Sequence, residues 1–310
     1  MARRKSGRDI HGWLILDKPL DVGSTEAVGK ARWALQARKA GHAGTLDPLA
    51  TGLLAIAFGE ATKTIPFVTE AEKGYRFTVR WGEATTTDDR EGEVSARSDA
   101  RPSDAEIEAA LPAFRGDVMQ TPPAFSAVKV AGERAYDLAR DGETVELAAR
   151  PLHVSRLELV ERPDADHAVF EMDCGKGGYV RAVARDLGAA LGCLGHVAGL
   201  RRVWSGPFDL AQATVAWGEF DGLREDEGAA ARLLPLEAGL ADLPQVRVTE
   251  AGAAALRNGQ AGAASHAPEG LNWGDPAWAS HGERAVALGV WGPGVLRPSR
   301  VFQHTAPARL

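Results

Sequence analysis

One stretch of the chain constrains both its fold and its chemistry: Gly41-His42-Ala43-Gly44-Thr45-Leu46-Asp47-Pro48-Leu49-Ala50-Thr51-Gly52. Three glycines and one proline surround a single carboxylate, Asp47. Such a loop lets the backbone approach a substrate closely and holds the acid in a fixed geometry. On these residues alone a second interpretation stays open, in which Asp47 and Pro48 only start a turn, as most Asp-Pro pairs do.

The segments on both sides of the loop predict strands and helices in no regular alternation. The clearest strand is 75–81, in which aromatic and apolar side chains fall on one face and Arg or Thr on the other. The clearest helix start is the capping-box pattern of 103–106. Further strands are predicted at 10–16, 53–58, 124–130, 152–160 and 167–174, and further helices from Ser24 or Thr25 to about Arg38, from about Glu60 to Thr69, over 180–191 and over 221–243.

This order of elements favours an α+β fold with a mixed, mostly antiparallel central sheet flanked by helices. A doubly wound sheet is not favoured, because no Gly-rich strand–turn–helix fingerprint is present. After Pro244 the chain becomes Gly-rich with short strand-like pieces, which predicts a small barrel-like β domain. We therefore expect a basic tail at 1–9, a main domain at 10–245 and a small domain at 246–310.

Composition describes a globular chain with an uneven charge distribution. Its 310 residues include 36 Lys+Arg and 42 Asp+Glu, a net charge of −6, and 45% are hydrophobic, which excludes a wholly disordered chain. Residues 1–40 carry nine basic and four acidic residues, a net of +5, whereas 83–108 carry three and nine, a net of −6. An acidic chain can thus present a basic face to a polyanion, or these segments are simply solvated. Two cysteines and no apolar run of about 20 residues predict a cytoplasmic protein outside the membrane.

Motifs for metal or nucleotide-cofactor chemistry are absent from the sequence, so we expect no cofactor and no metal. A second candidate region is Cys174-Gly175-Lys176-Gly177-Gly178-Tyr179-Val180-Arg181. It places Tyr179 and Arg181 near a helix N-terminus, where Arg181 could pair with a carboxylate from elsewhere or lie free on the surface. Tyrosine is scarce, and two of the three, Tyr75 and Tyr179, fall in the segments singled out.

The loop 41–52 resembles the catalytic motif of the pseudouridine synthases, most of all the bacterial branch (the TruB family) that modifies uridine 55 in the T-loop of tRNA. The resemblance covers about 10–245, and the remainder resembles a small RNA-binding PUA domain. Its other motifs are Asp17-Lys18-Pro19, Gly59-Glu60-Ala61-Thr62-Lys63, the stretch 121–129, Leu200-Arg201-Arg202, Gly259-Gln260 and the stretch 296–302. Gly178, Phe125 and Thr86 depart from the family, which commonly has Thr, Tyr and Asp there.

The resemblance implies a redox-neutral isomerisation, in which uracil is detached from C1′ and reattached through C5. It assigns Asp47 as the catalytic carboxylate and Arg181 as its counter-ion. Tyr75 would stack on the base, and its hydroxyl could accept the proton that leaves C5. Three steps stay open for Asp47: attack on C1′, attack on the base, and removal of a proton from the sugar.

The resemblance further implies that the target uridine is flipped out of folded RNA. It assigns His42 to the space left in the T-loop, Tyr179 to the base or ribose, and Leu200 to the pocket wall. Lys63 would position a phosphate, or would be a solvated helix lysine. Phosphates would be held by the basic N-terminal region, Arg201-Arg202 and the small domain.

The partner implied is the T-arm stem-loop of tRNA, with a monomeric protein and no protein partner. Two other functions stay open. One is an RNA-binding or tRNA-folding protein on the same scaffold without turnover, and the other is a guide-RNA-dependent synthase. Loss of Asp47, Tyr75 or Arg181 would favour the former, and all three are present.

Overall fold

The computed structural model describes residues 7–126, 128–130, 133–135 and 147–303, so that most of the basic tail lies outside the described residues. The strands are β1 Gly12–Lys18, β2 Ala40–Ala43, β3 Ala50–Phe58, β4 Lys73–Trp81, β5 Glu83–Thr85, β6 Val94–Arg97, β7 Gly116–Gln120, β8 Lys129–Val130, β9 Glu133–Arg134, β10 Arg150–Glu161, β11 His167–Cys174, β12 Gly195–Ser205, β13 Phe208–Asp209, β14 Val215–Ala216, β15 Gln245–Val248, β16 Gly262–His266, β17 Pro276–His281, β18 Arg284–Gly292 and β19 Val295–Val301. The α-helices of the described part are α1 Ser24–Ala34, α2 Ile65–Glu70, α3 Asp104–Ala110, α4 Val180–Ala190, α5 Phe220–Glu225 and α6 Glu250–Arg257.

The main domain is built on a sheet with the strand order β14-β1-β3-β12-β4-β11-β10-β7, to which β2 and β13 add at the side. The β1–β14 and β3–β12 pairs are parallel, and the other pairs are antiparallel. The predicted mixed, mostly antiparallel sheet is therefore confirmed. The parallel β3–β12 pair brings the end of the catalytic loop beside Leu200, which pairs with Ala50.

Strand β1, next to the edge strand β14, is buried on both faces. Leu14 and Leu16 pack with α1 and α5 on one side of the sheet. Trp13 and Ile15 pack on the other side, in a cluster that includes Trp278 of the barrel. A strand covered on both faces needs a continuous apolar run rather than alternation, which explains the Trp-Leu-Ile-Leu sequence.

Helix α4 packs against the sheet over the antiparallel strands. Val183 and Leu187 belong to the same buried cluster as Phe77, Trp81 and Phe170. The Phe77 and Phe170 rings stack with centroids 5.4 Å apart, and Trp81 meets Phe170 edge-on at 6.2 Å. This packing fixes the first turn of α4, which carries Arg181, relative to strand β4, which carries Tyr75.

The last five strands close into a barrel in the order β15-β16-β19-β18-β17. The barrel shares a hydrophobic cluster with the main domain, in which Trp278, Leu288 and Phe302 pack with Trp13. The Trp278 indole also donates to the carbonyl of Leu243 at 3.1 Å. The barrel is thus attached to the main domain by a continuous core.

Four predicted elements differ from the structure. The helix predicted from about Glu60 to Thr69 is a 3₁₀ turn, Gly59–Lys63, followed by the short α2. Of the strand predicted at 124–130, residues 124–126 follow Pro122 and Pro123 as an irregular segment and only 129–130 form a strand, β8, while 127 lies outside the described residues. The helix predicted at 221–243 is only α5 followed by two 3₁₀ turns, Ala229–Arg232 and Leu236–Leu240, with Pro235 between them. The first helix ends at Ala34, and neither Ser24 nor Thr25 caps it, since its N-cap is Gly23.

Candidate active site

A buried lysine of β1 holds the loop between β2 and β3 in place. The Lys18 ammonium donates to the carbonyls of Pro19 at 2.9 Å, Val22 at 2.7 Å and Pro48 at 3.3 Å. Ser24 is engaged here rather than as a helix cap, because its hydroxyl donates to the Leu46 carbonyl and accepts from the Leu46 N–H, both at 2.8 Å. The backbone on both sides of Asp47 is therefore fixed by side chains from β1 and α1.

Asp47 forms an ion pair with Arg181. The Arg181 Nη2 atom lies 3.0 Å from Asp47 Oδ2, and Nη1 lies 3.2 Å from Oδ2 of the buried Asp89. The same guanidinium donates to the carbonyls of Thr87 at 3.1 Å and Phe125 at 2.9 Å. One arginine thus binds two carboxylates and two backbone segments, as its planar set of donors allows.

These residues border a cavity of about 530 Å³, which is large enough for a nucleoside-sized ligand. Four of the residues predicted for catalysis or for contact with the substrate line the cavity: Asp47, Tyr75, Tyr179 and Arg181. Leu200 also lines it, as predicted for an apolar wall. The described residues that line it are Gly44, Thr45, Leu46, Asp47, Thr69, Lys73, Tyr75, Phe125, Ser126, Lys176, Gly177, Gly178, Tyr179, Val180, Arg181, Leu200 and Arg202.

Tyr75 presents its side chain to this cavity from β4. Burial raises the pKa of the Tyr75 hydroxyl, an effect that the nearby positive charge of Arg202 opposes. Tyr75 pairs in the sheet with Met172 of β11 and with Arg202 of β12, so the neighbouring strands on both sides position its ring. The phenol is therefore protonated at neutral pH and lies near Asp47.

Tyr179 precedes α4 and is held through its backbone by Gln120. The Gln120 amide accepts from the Tyr179 N–H at 2.9 Å and donates to the Tyr179 carbonyl at 3.2 Å. The neighbouring Gly178 has no room for a side chain, since a Cβ there would lie 2.6 Å from Cys174 Sγ. The departure at Gly178 thus agrees with the packing of the turn in this chain.

Two predicted residues lie outside the cavity lining. His42 is half-buried on β2, where burial and the nearby Arg202 charge lower the pKa of its imidazole. Lys63 forms an ion pair with Glu60 at 2.6 Å and donates to the Val301 carbonyl at 2.8 Å. Lys63 therefore joins the main domain to the barrel in this structure, and the structure does not bring it to the other site residues.

The prediction that Arg201 and Arg202 both hold phosphates is wrong for Arg202. Successive residues of a strand face opposite sides of a sheet, and these two follow that rule. Arg201 points outward and pairs with Asp17, with its two nitrogens 3.0 and 2.7 Å from the carboxylate. Arg202 is buried, and it donates to the carbonyls of Leu53 at 2.8 Å and Gly44 at 3.1 Å.

Three residues of this site were not predicted, Asp89, Lys73 and Gln120, and Lys18 was named only within the motif Asp17-Lys18-Pro19, without a role. Asp89 lies in the acidic segment that composition describes as solvated, and only its burial distinguishes it from its neighbours. The Lys18 ammonium also contacts the Pro48 carbonyl, 30 residues along the chain, which no local pattern indicates. Within the described residues, no group of three or more His, Cys, Asp or Glu side chains could hold a metal ion, and no helix there is long and apolar enough to cross a membrane.

Comparison with known proteins gives matches along nearly the whole chain. A family model described as the N-terminal domain of TruB family pseudouridylate synthase matches residues 32–180, and one described as the tRNA pseudouridylate synthase B C-terminal domain matches 181–241. The chain is 59% identical to the tRNA pseudouridine synthase B of Dinoroseobacter shibae, over 99% of this chain and 100% of the relative. It is 52% identical to that of Caulobacter vibrioides, over 98% of this chain and 100% of the relative.

Among solved structures, a chain in the crystal structure of a Cbf5-Nop10-Gar1 complex superposes with a TM-score of 0.74. The two sequences are 25% identical, and the match covers 94% of this chain and 85% of the chain in that complex. The same fold therefore extends over the main domain and the barrel together. Given the identity to its bacterial relatives and the Asp47–Arg181 arrangement, the chain belongs to the TruB family of pseudouridylate synthases.

Proposed function

We propose that this protein converts uridine 55 in the T-loop of tRNA to pseudouridine. The observation that carries the proposal is the Asp47 carboxylate, held 3.0 Å from Arg181 at the rim of a nucleoside-sized cavity that Tyr75 also lines. The bacterial relatives that match over their full length, named tRNA pseudouridine synthase B, support tRNA as the substrate.

The reaction needs one carboxylate at the junction of sugar and base. The C1′–N1 bond breaks, the C1′–C5 bond forms, and a proton moves from C5 to N1, so that the isomerisation consumes no oxidant or reductant. Arg181 keeps Asp47 oriented, and Tyr75 supplies an aromatic face for the base together with a hydroxyl near its C5 edge. We propose no cofactor and no metal for this chemistry.

Access to the cavity requires that the uridine leave the RNA stack, at a cost of roughly a few kcal/mol. Leu200 and Tyr179 would then bound the flipped nucleoside, whose burial offsets part of that cost. His42, on the strand that leads into the loop, would occupy the vacated space in the RNA. Its lowered pKa favours a neutral imidazole at neutral pH, which can stack on a base without a charge.

The barrel would act as a PUA-like RNA-binding domain that extends the contact beyond the T-loop. Its shared core with the main domain would hold the two at a fixed spacing, so that RNA bound to one is aligned with the other. The protein would act as a cytoplasmic monomer on the T-arm stem-loop, without a protein partner.

The test is incubation of the purified protein with an unmodified tRNA transcript, followed by mapping of pseudouridine at each uridine. We expect modification at position 55 only. A transcript with cytidine at position 55 is the matched control and should remain unmodified. Binding and refolding of tRNA without pseudouridine would favour instead the folding protein without turnover.

A further inference from the structure

The deep end of the cavity holds two buried cations, Lys73 and Arg202, whose side chains the proposed reaction has not used. Both line the cavity, with exposed fractions of 7% and 1%. The Lys73 ammonium donates to the carbonyls of Thr69 at 2.8 Å and Ala71 at 2.6 Å, and Arg202 donates to the Gly44 carbonyl at 3.1 Å. Among the residues that the structure describes, neither cation forms an ion pair with a carboxylate.

Gly44 brings the two cations together at the catalytic loop. Its φ is +85°, and a Cβ at this position would lie 3.2 Å from Arg202 Nη1 and 3.4 Å from Lys73 Cε. The burial of Lys73 and the nearby charge of Arg202 lower the pKa of the Lys73 ammonium to about 8. Two buried cations close to the same loop residue, with no carboxylate paired to either among the described residues, make this wall of the cavity favourable for an anion.

The cavity has an exposed end and a buried end, and these determine which part of a bound nucleoside contacts the wall formed by Lys73 and Arg202. Asp47 lies near its opening, since 40% of its side chain is exposed, whereas Lys73 and Arg202 are buried. A uridine whose C1′ lies at Asp47 therefore points its base inward. Tyr75, which pairs with Arg202 in the sheet and lines the same cavity, would lie alongside that base.

We propose that Lys73 and Arg202 stabilise the negative charge that uracil carries during the isomerisation. This inference rests on the proposed function. When the C1′–N1 bond breaks, its electron pair goes to uracil and spreads over N1, O2 and O4. The charge is removed when C5 bonds to C1′, the C5 proton leaves and N1 gains a proton.

The proposal holds for each of the three steps open to Asp47. Attack on C1′ and removal of a sugar proton both release uracil as an anion, and attack on the base leaves the ring negatively charged. In every case the charge forms at the deep end, where the two cations are already in place. Preorganised cations in a site of low dielectric constant stabilise such charge strongly, and loss of one such group typically costs about 10²–10³-fold in rate.

The experiment compares Lys73→Met and Lys73→Arg in single turnover on a T-arm stem-loop with either uridine or 5-fluorouridine at the target position. Fluorine withdraws electrons and stabilises the uracil anion without help from the protein. With uridine, we expect Lys73→Met to break the C1′–N1 bond about a hundredfold more slowly, with the RNA Kd within threefold of wild type. With 5-fluorouridine, the defect should shrink at least fivefold. Lys73→Arg keeps the charge and should remain within tenfold of wild type on both RNAs.

Lys176→Met is the matched control, because it removes an exposed lysine from the mouth of the same cavity, where it pairs with Glu70. Its effect should be equal on the two RNAs. Thermal unfolding checks the fold of each variant, and Lys73→Gln replaces Lys73→Met if the latter does not fold. Equal slowing of both RNAs by Lys73→Met, or a wild-type rate, would overturn the inference. A wild-type protein that forms no pseudouridine would instead refute the proposed function.

Discussion

Arg181 binds two carboxylates of unequal burial, and we predict that one pair serves stability while the other serves catalysis. The side chain of Asp89 is 2% exposed and that of Asp47 is 40% exposed. Asp89→Asn removes the buried charge and leaves Arg181 with one carboxylate. Asp47→Asn removes a charge that water already screens. The free energy of unfolding should therefore fall much more for Asp89→Asn.

The magnitudes follow from burial. Breaking a buried ion pair by removing one partner costs about 3–5 kcal/mol, and we expect the lower end, about 3 kcal/mol, because Arg181 keeps Asp47. Asp89 also accepts hydrogen bonds from the Thr87 hydroxyl and the Glu91 N–H, which an amide can only partly replace. The half-exposed Asp47 pair is worth about 0–1 kcal/mol.

Urea denaturation of the two variants and wild type measures the difference. Asp117→Asn is the matched control, since Asp117 is exposed and contacts only His153 among the pairs described, and it should lie within about 0.5 kcal/mol of wild type. Single-turnover rates on the same samples should fall much more for Asp47→Asn than for Asp89→Asn. The reasoning is refuted if Asp47→Asn destabilises the protein as much as Asp89→Asn does.

Three further results are expected. Tyr75→Phe should fold and bind tRNA normally but turn over at least about a hundredfold more slowly in single turnover, because only the hydroxyl is lost; a wild-type rate would leave Tyr75 a packing role. Lys18→Met should lower kcat at least about tenfold with KM nearly unchanged, because the Pro48 carbonyl loses its hydrogen-bond donor and Asp47 is no longer held in a fixed position. An unchanged kcat would contradict this prediction. The tRNA affinity should fall as the salt concentration rises, with a slope of log affinity against log salt of at least about 3 in magnitude, because four or more phosphate contacts are expected. An affinity that does not change with salt would exclude the basic face of 1–40 as the RNA surface.

The sequence predicted those parts of the site that lie in distinctive local patterns. The glycines around Asp47 and before Arg181 mark turns, and the alternation of 75–81 places Tyr75 on the face that the structure buries. The strand at 167–174 is confirmed as β11, because its apolar residues alternate on a sheet covered by α4. These signals come from neighbours in the chain and need no tertiary information.

Other parts depend on contacts between distant segments. Asp89 and Asp88 are adjacent acids, yet Asp89 pairs with Arg181 and Asp88 with Arg185, one helical turn further on. Arg202 was assigned to phosphate, because a doublet of arginines does not reveal which one faces the interior. The prediction of a helix at 221–243 was wrong. Its Ala and Leu content suits a helix, but Pro235 and the packing of the segment against β1 divide it into short turns.

Pseudouridine formation by Asp47→Asn tests the central claim most directly. The variant and wild type are incubated with an unmodified tRNA transcript, and modification at position 55 is followed alongside the Kd for the RNA. A neutral amide keeps the shape of the carboxylate but cannot act as nucleophile or base. We predict a Kd within threefold of wild type and no pseudouridine at times when wild type is complete. Turnover by Asp47→Asn within tenfold of the wild-type rate would contradict the assignment of Asp47 as the catalytic carboxylate.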